Sequence, residues 1–400
     1  MQNALLSPEV QAFLAQHQQT DLKKLAFQPN PFPDLPWAEV LEQLEFRQKL
    51  PAKIPTWATN AGLLGKKRAL EQASSEPTAK FKAGLIGGKC LWDLSGGLGI
   101  DTYFFAQKMP TVVHVEPDAS LQAIVRYNFA QLGQENVRFV NQTAEALLES
   151  PGSSPNWIYL DPSRRPDAHK RAYRLEDCQP NVLALQDQLL GLGSQILLKA
   201  APWLDIQEAL QKLKYVWQVW IVALENEVKE LLFAFGKGSG DREPMLEAVN
   251  LRPEGPEIFS FSRTEEKQHQ AETGPPQSFL IEPNRAILKA GAFQTFACRF
   301  GLRKLHPHTH LYTTEALPEE PLPGRVFRVL ADCAYQKKAV QAFLPEKKAS
   351  LSTRNFPDTT EKMRQKLGLA EGGQKFVFGY RDHQNRVRVL ISEKLVLRHS

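Results

Sequence analysis

The stretch LWDLSGGLGID, residues 91–101, decides the fold of this chain. It sets three glycines and two acids between an apolar run and a segment of helical spacing, which predicts a strand, a tight turn and a helix. A nicotinamide or flavin site would show GxGxxG, with the pyrophosphate at the start of the helix. Here the spacing is Asp-x-x-x-Gly-x-Gly, and the two acids oppose a pyrophosphate. They favour a ligand that carries an amino or sulfonium cation.

Short apolar runs alternate with helical stretches from Cys90 onward. The runs predicted as buried strands are CLWDL, TVVHVE, VRFVN, WIYLD and SQILLKA. This alternation predicts an α/β fold with a Rossmann-like, doubly wound parallel sheet. Two further runs, YVWQVWIVAL and EVKELLFAFG, predict a hairpin that brings an antiparallel strand into that sheet.

Polar residues follow three consecutive strands of the predicted sheet. Asp93 ends the first strand, Glu116 and Pro117 end the second, and Thr143 and Glu145 follow the third. The carboxyl ends of parallel strands meet in one crevice, which is where open α/β sheets bind ligands. An acid at the tip of the second strand can accept hydrogen bonds from both hydroxyls of a ribose. The pattern therefore predicts a nucleoside site.

The fourth strand ends in Asp161-Pro162, which places a fixed hydrogen-bond acceptor at the same edge of the sheet. The segment that follows it is strongly basic. Its cationic residues are Arg164, Arg165, His169, Lys170, Arg171 and Arg174. They could hold the phosphates of a nucleic acid, since such contacts position a strand without reading its sequence. The alternative is a network that pins the loop, with Arg165 or Arg174 paired to Glu176 or Asp177.

The sequence predicts three regions. Residues 1–85 show helical spacing, residues 86–262 hold the strand–helix alternation, and residues 278–400 read as a small α+β domain. The polar segment 263–277 contains Gly-Pro-Pro and is predicted to be a linker or an exposed loop. From residue 278 onward there are 21 Lys and Arg against 11 Asp and Glu, whereas the rest of the chain has 28 against 33. This asymmetry favours a polyanionic partner, and a solvated basic surface is the alternative.

These motifs resemble the class I S-adenosylmethionine-dependent methyltransferases. DLSGGLGID matches their glycine motif, and Glu116 matches their ribose-binding acid. Over nearly its full length the chain is similar to a bacterial group of such enzymes with a C-terminal THUMP-like domain. The marks of that group are SSEPTAKFKAGL, DPSRR with LEDCQP, EPNRAILKAGAF, and RNFP followed by LGLAEGG. The resemblance implies a seven-stranded methyltransferase sheet, S-adenosylmethionine as cofactor and, because THUMP domains bind RNA, an RNA partner.

The resemblance and the strand tips together give a set of candidate site residues. The expected cofactor-binding residues are Asp93, Ser95, Gly97, Gly99, Asp101, Glu116, Pro117, Thr143 and Glu145, with Lys82 near the cofactor's carboxylate. Asp161, Pro162 and Arg164 are expected at the catalytic edge, and Arg165, His169, Lys170, Arg171 and Arg174 against the substrate. For the segment around Lys82, the alternative is a helix that Ser74 or Ser75 caps.

The motif after the fourth strand departs from one family pattern. Class I enzymes that methylate base amino groups carry a motif of the form Asn/Asp-Pro-Pro-aromatic at this position, and its aromatic residue stacks on the flipped base. In this chain Ser163 replaces the second proline and Arg164 replaces the aromatic residue. The function predicted is methylation of RNA, either rRNA or tRNA. The alternatives are a protein or small-molecule methyltransferase, and a non-catalytic RNA-binding protein that senses the cofactor.

Other classes of protein fit the sequence poorly. The cysteines at 90, 178, 298 and 333 form no CxxC pair, so we expect reduced thiols in a cytoplasmic protein without a zinc ribbon or disulfides. The histidines of HPHTH, residues 306–310, have no Cys or acid near them in sequence, so we expect no metal. The chain has neither an apolar run of about 18 residues nor a secretory signal, so we expect no membrane span.

Overall fold

The computed structural model describes residues 2–164, 174–240 and 242–396. The chain divides into two compact units, of which the first comprises Met1–Gln218 and Glu230–Arg242. The second comprises Val219–Lys229 and Glu243–Ser400. In the described part of the chain, no helix is long and apolar enough to cross a membrane.

Helices fill the start of the first unit, as the sequence predicts. They are α1 (Gln2–Leu5), α2 (Pro8–Gln16), α3 (Leu22–Leu25), α4 (Trp37–Lys53), α5 (Pro55–Ala58), α6 (Lys67–Gln72) and α7 (Glu76–Gly84). Val10 and Leu14 of α2 pack with Val40 and Leu44 of α4 in a buried apolar cluster. The spacing from Ala69 to Ala83 predicts one helix, but the structure has two. Helix α6 ends at Gln72, and Ser75 is the N-cap residue of α7, which has proline in its first turn and no side-chain cap hydrogen bond.

A mostly parallel sheet follows in the same unit. Its strands and the two short strands beside it are β1 (Cys90–Asp93), β2 (Thr111–Val115), β3 (Val137–Val140), β4 (Trp157–Leu160), β5 (Ser163–Arg164), β6 (Cys178–Gln179) and β7 (Gln195–Ala200). The helices between the strands are α8 (Ile100–Ala106), α9 (Ala119–Gln131), α10 (Ala144–Glu149), α11 (Val182–Gly191) and α12 (Ile206–Lys212). Strands β7, β4, β1, β2 and β3 lie side by side in that order, all parallel. Their carboxyl ends therefore share one edge.

Two long strands form the hairpin that the sequence predicts. Strands β8 (Val216–Leu224) and β9 (Glu227–Phe235) are joined by Glu225 and Asn226, both with positive φ, as in a type I′ turn. Residues 231–235 of β9 pair antiparallel with β7, which makes the sheet mixed. Two short 3₁₀ turns, Leu175–Asp177 and Lys237–Ser239, lie in the same unit. The parallel order with an antiparallel addition confirms the predicted fold class.

The second unit is rich in antiparallel sheet. Its strands are β10 (Met245–Leu251), β11 (Glu257–Ser262), β12 (Phe279–Pro283), β13 (Arg303–His306), β14 (Thr309–Thr314), β15 (Gly324–Ala334), β16 (Ser350–Arg354), β17 (Lys375–Arg381) and β18 (Val387–Lys394). Its helices are α13 (Arg263–Gln268), α14 (Arg285–Ala290), α15 (Phe293–Arg299), α16 (Lys337–Gln341) and α17 (Thr360–Leu367). Seven strands form one sheet in the order β13-β14-β12-β15-β18-β17-β16. This sheet domain agrees with the predicted α+β region.

The structure corrects two details of the second unit. Part of the predicted linker is helix α13, because Ser262 and Glu265 form a capping box at its start. The pattern NRAILKAGAFQTFACRFG, residues 284–301, predicts one helix, but the structure has two, α14 and α15, since Gly291 adopts a φ of 81° and ends the first of them.

Candidate active site

The turn after β1 is fixed by its own acid. Asp93 Oδ1 accepts from the backbone N–H of Ser95 at 3.1 Å, and Asp93 Oδ2 accepts from the Thr102 hydroxyl at 2.6 Å. Gly97 and Gly99 take φ of 54° and 78°, a region that other residues rarely adopt. A Cβ at Gly96 would lie 2.3 Å from His114 Nε2. The turn therefore needs its glycines both for conformation and for space.

Asp93 is an acid held in an apolar setting. Its side chain is almost fully buried, and this burial raises the pKa of Asp93 to about 7, although the Thr102 hydroxyl and the Ser95 amide lower it. A buried carboxylate that is costly to ionise favours a cation beside it. The acid thus suits a positively charged ligand at this turn.

The second strand supplies a carboxylate that is held by backbone amides. Glu116 Oε2 accepts from Gly97 N at 3.0 Å, and Glu116 Oε1 accepts from Asp118 N at 2.9 Å. Partial burial raises the pKa of Glu116. Each oxygen keeps a further lone pair, so this carboxylate can accept from two neighbouring hydroxyls, as a ribose requires.

The third strand tip closes the same side of the cavity. Thr143 caps α10 by accepting from Ala146 N at 3.2 Å, and Glu145 lies in the first turn of that helix. The amide of Asn141 donates to Glu116 O at 2.7 Å, which ties the second and third strand tips together. The three tips therefore form one continuous wall.

One cavity of about 660 Å³ collects nearly all the predicted cofactor residues. Its lining includes Asp93, Ser95, Gly97, Gly99, Asp101, Glu116, Pro117, Thr143 and Glu145. The glycines open space that a Cβ would fill, and the acids offer hydrogen-bond acceptors for an ammonium and a ribose and negative charge for a sulfonium. These residues fit S-adenosylmethionine in shape and in charge.

Lys82 is the exception among them, because it does not line this cavity. It is fully buried, with its ammonium 2.8 and 2.9 Å from the two carboxylate oxygens of Glu230 and 3.3 Å from Asp101 Oδ1. Asp101 Oδ2 in turn accepts from the hydroxyls of Ser74 and Tyr159 at 2.8 and 2.7 Å. Lys82 is thus placed behind Asp101 and pairs with acids of the protein instead of reaching a cofactor carboxylate.

This buried network also sets the charge of Asp101. Burial raises the pKa of Asp101, but the ammonium groups of Lys82 and Lys199 and the hydroxyl of Tyr159 outweigh it and lower the pKa overall. For Glu230 burial dominates and raises the pKa in spite of Lys82. Asp101 therefore presents a negative charge to the cavity, whereas Asp93 lies near its midpoint at neutral pH.

The end of β4 brings Asp161 to the cavity. The Asp161 backbone N–H donates to Ser95 Oγ at 2.6 Å, and the Lys199 ammonium lies 2.5 Å from Asp161 Oδ2. The Lys199 side chain is 13% exposed and that of Asp161 is 30% exposed. Burial lowers the pKa of Lys199, but Asp161 and the other nearby acids raise it overall, so Lys199 stays cationic. Asp161 Oδ1 accepts no hydrogen bond from the described residues and can accept one from a substrate.

Of the remaining predicted residues, one lines the cavity, and the others either do not line it or lie outside the described residues. Arg164 lines the cavity from β5, which pairs antiparallel with β6. Pro162 follows Asp161 but is not part of the cavity lining. Arg174 is exposed, and the Glu176 carboxylate that was considered as its partner forms an ion pair with Lys212 at 2.6 Å. Arg165, His169, Lys170 and Arg171 lie outside the described residues.

Sequence reasoning missed three groups of this site. The sequence places Lys199 and Tyr159 only within strands, and it offers the Ser74 hydroxyl as a contact of the cofactor's carboxylate or as a helix cap, not as a partner of Asp101. The parallel register of β4 and β7 was a usable signal for Lys199, since Leu160 pairs with Leu198 and the next residues are Asp161 and Lys199. Lys82 and Glu230 pair although they are 148 positions apart in the sequence, and no local pattern predicts this contact.

Comparison with known proteins identifies the family. A solved structure from Porphyromonas gingivalis, assigned as a methyltransferase without a named substrate, is 32% identical and superposes with a TM-score of 0.85. The alignment covers 97% of this chain and 98% of that one. The chain belongs to this methyltransferase family. The cofactor of this methyltransferase is S-adenosylmethionine, which the predicted glycine motif and strand-tip acids indicated.

Further comparisons agree with this family and extend it. An uncharacterized S-adenosylmethionine-dependent methyltransferase of Mycobacterium tuberculosis is 24% identical over 314 residues, which is 77% of this methyltransferase and 81% of that protein. Residues 279–321 match a ferredoxin-like domain, and residues 324–394 match a THUMP domain-like family. The predicted THUMP-like domain is therefore confirmed. Among the described residues, no group of three His, Cys, Asp or Glu could hold a metal ion.

Proposed function

We propose that this methyltransferase acts on RNA. The observation that carries the proposal is the match of residues 324–394 to a THUMP domain-like family, within a region that holds 21 Lys and Arg against 11 Asp and Glu. Proteins that bind nucleic acid bring such a positive excess to the phosphate backbone, and binding of this kind weakens as salt rises. A small-molecule methyltransferase has no need of such a region.

The chain's own residues have defined tasks in the reaction. S-adenosylmethionine, when bound, supplies an electrophilic methyl group on a sulfonium centre. Asp93, the glycine turn and Glu116 hold it by charge and by acceptors for the ribose. Asp161 Oδ1 accepts a hydrogen bond from the N–H or O–H of the acceptor nucleotide and so turns the lone pair of that atom toward the methyl group. The rate gain comes chiefly from this positioning.

Lys199 acts through Asp161 in this scheme. Its ion pair with Oδ2, at 2.5 Å, restrains the Asp161 carboxylate, which lines the cavity and keeps its other oxygen for the substrate. Arg164, on the same rim, can stack on a base or grip a phosphate, since a guanidinium does both. Arg165, His169, Lys170, Arg171 and Arg174 are proposed to add phosphate contacts in the segment after β5.

Labelled cofactor and total RNA from a strain lacking the protein test the proposal. We expect label in RNA with the wild type, and loss of that label with Asp161→Ala while calorimetry still detects cofactor binding. Asp21→Ala, which removes an exposed helix cap in the same unit, away from the cavity lining, is the matched control and should keep the label. Label in protein or in small metabolites, and none in RNA, would refute RNA as the substrate. Full RNA labelling by Asp161→Ala would remove Asp161 from its role.

A further inference from the structure

An exposed tryptophan stands at the edge of the sheet where the reaction is proposed. Trp203 is 79% exposed, although tryptophan is one of the residues that proteins bury most on average. Its ring forms no hydrogen bond, ion pair or ring contact with the described part of the chain. An apolar surface of this size is thus left in water without a structural task.

The backbone around Trp203 is held in a defined turn. Leu204 N donates to Ala201 O at 3.1 Å, which closes a turn with Pro202 at its second position. Leu204 is buried, and Asp205 caps α12 by accepting from two backbone amides. These contacts on both sides fix the backbone that carries the indole, so little backbone entropy is lost when a partner stacks on the ring.

The position of this turn relates it to Asp161. Strands β4 and β7 are parallel neighbours with Leu160 opposite Leu198, so Asp161 and Lys199 leave the sheet side by side. Trp203 comes four residues after Lys199 and does not line the cofactor cavity. Since β7 ends at Ala200, Trp203 follows the carboxyl end of that strand, at the edge of the sheet where Asp161 follows β4.

The sequence around Asp161 lacks the element that Trp203 can supply. Arg164 stands where enzymes acting on base amino groups carry an aromatic residue for stacking. A tryptophan face binds any base by stacking, provided that the base is not paired and stacked within a duplex.

We infer that Trp203 is a stacking platform for an unpaired base of the substrate RNA. The inference rests on the proposed function and narrows it, since the methylated site then lies in a single-stranded segment, loop or bulge. In this role Trp203 binds the substrate RNA outside the cofactor cavity and takes no part in holding the cofactor.

The test uses the full chain and an oligonucleotide that contains the nucleotide labelled in total RNA. Trp203→Ala should raise KM for the single-stranded oligonucleotide about 5- to 150-fold, the range expected for one lost base stack, and Trp203→Phe should restore most of it. Calorimetry should give the same cofactor affinity for Trp203→Ala as for the wild type. Phe27→Ala removes a ring that is 92% exposed outside this cavity, and it should leave KM unchanged. The same oligonucleotide annealed to its complement should be a poor substrate for the wild type.

The outcomes separate the two claims. If the wild type methylates RNA but Trp203→Ala keeps the wild-type KM, or the duplex reacts as well as the single strand, the inference is overturned and the proposed function stands. A loss of cofactor affinity in Trp203→Ala would also overturn it, since the residue would then be structural. If the wild type methylates no RNA, the proposed function fails and the inference fails with it.

Discussion

The charge of Asp93 should make cofactor affinity depend on pH. Burial raises the pKa of Asp93 from 3.8 to about 7. At 1.36 kcal/mol per unit of pKa, the buried carboxylate is therefore about 4 kcal/mol harder to ionise than in water. A cationic cofactor beside it favours the ionised form, so binding below pH 7 must release the proton of Asp93.

The sign and size of the effect follow from linkage. Affinity for S-adenosylmethionine should rise as pH rises toward 7 and then level off, because the acid is already ionised above its pKa. For a group that titrates near 7, the gain between pH 6 and pH 8 is about tenfold. Asp93→Asn should bind more weakly at pH 8 and should lose this dependence.

Calorimetry in buffers of different ionisation enthalpy measures both the affinity and the protons released. The amino group of the cofactor also titrates near this range, but it does so equally with either protein. The difference between wild type and Asp93→Asn therefore isolates Asp93. Equal proton release by the two proteins at pH 6, or a wild-type affinity that is the same at pH 6 and pH 8, would refute the reasoning.

Three further changes test the packing and the ion pairs of the site. Gly96→Ala should lower both the melting temperature and the cofactor affinity, because its Cβ would lie 2.3 Å from His114 Nε2. Gly84→Ala serves as the control, since its Cβ would meet no atom within 4 Å. Equal melting temperatures for the two variants would contradict the predicted clash. Lys82→Met should destabilise the protein by about 3–5 kcal/mol in denaturant titrations, since two buried acids lose their cation; a loss under 1 kcal/mol would contradict the network. Lys199→Met should reduce kcat by about 10- to 100-fold with cofactor affinity unchanged. Lys199→Arg should recover part of that rate, and an unchanged kcat in Lys199→Met would exclude a positioning role.

Hydrophobic pattern accounts for the part of the fold that the sequence predicted. The runs that became β1, β2, β4 and β7 are apolar because most of their residues are buried, and the alternation of strands and helices along the chain favours a parallel sheet. Strand β3, predicted as buried, lies at the edge of the sheet, and none of its four residues is buried. The acids at the strand tips were predictable for the same reason, since a topological rule places those tips together. The helix breaks near Ser75 and Gly291 have signals in the sequence. A serine followed by Glu-Pro marks the start of one helix, and a glycine marks the end of another.

Long-range pairings account for the part that the sequence could not predict. Lys82 looked like a cofactor ligand because its neighbours match the family, yet Glu230 of β9 takes its ammonium. The sequence predicted that this hairpin adds an antiparallel strand to the sheet, but no local pattern gives the register that brings Glu230 to Lys82. The exposure of Trp203 is likewise a property of the folded turn, because an apolar residue between Pro202 and Leu204 gives no sign of facing water.

Titration of the purified protein with S-adenosylmethionine and with S-adenosylhomocysteine tests the central claim most directly. Calorimetry should show one molecule of either bound per chain, with weaker binding for Glu116→Ala because the ribose loses its acceptor. No heat of binding for either compound, or an unchanged affinity in Glu116→Ala, would contradict the cavity of acids and glycines as the place where this methyltransferase holds its cofactor.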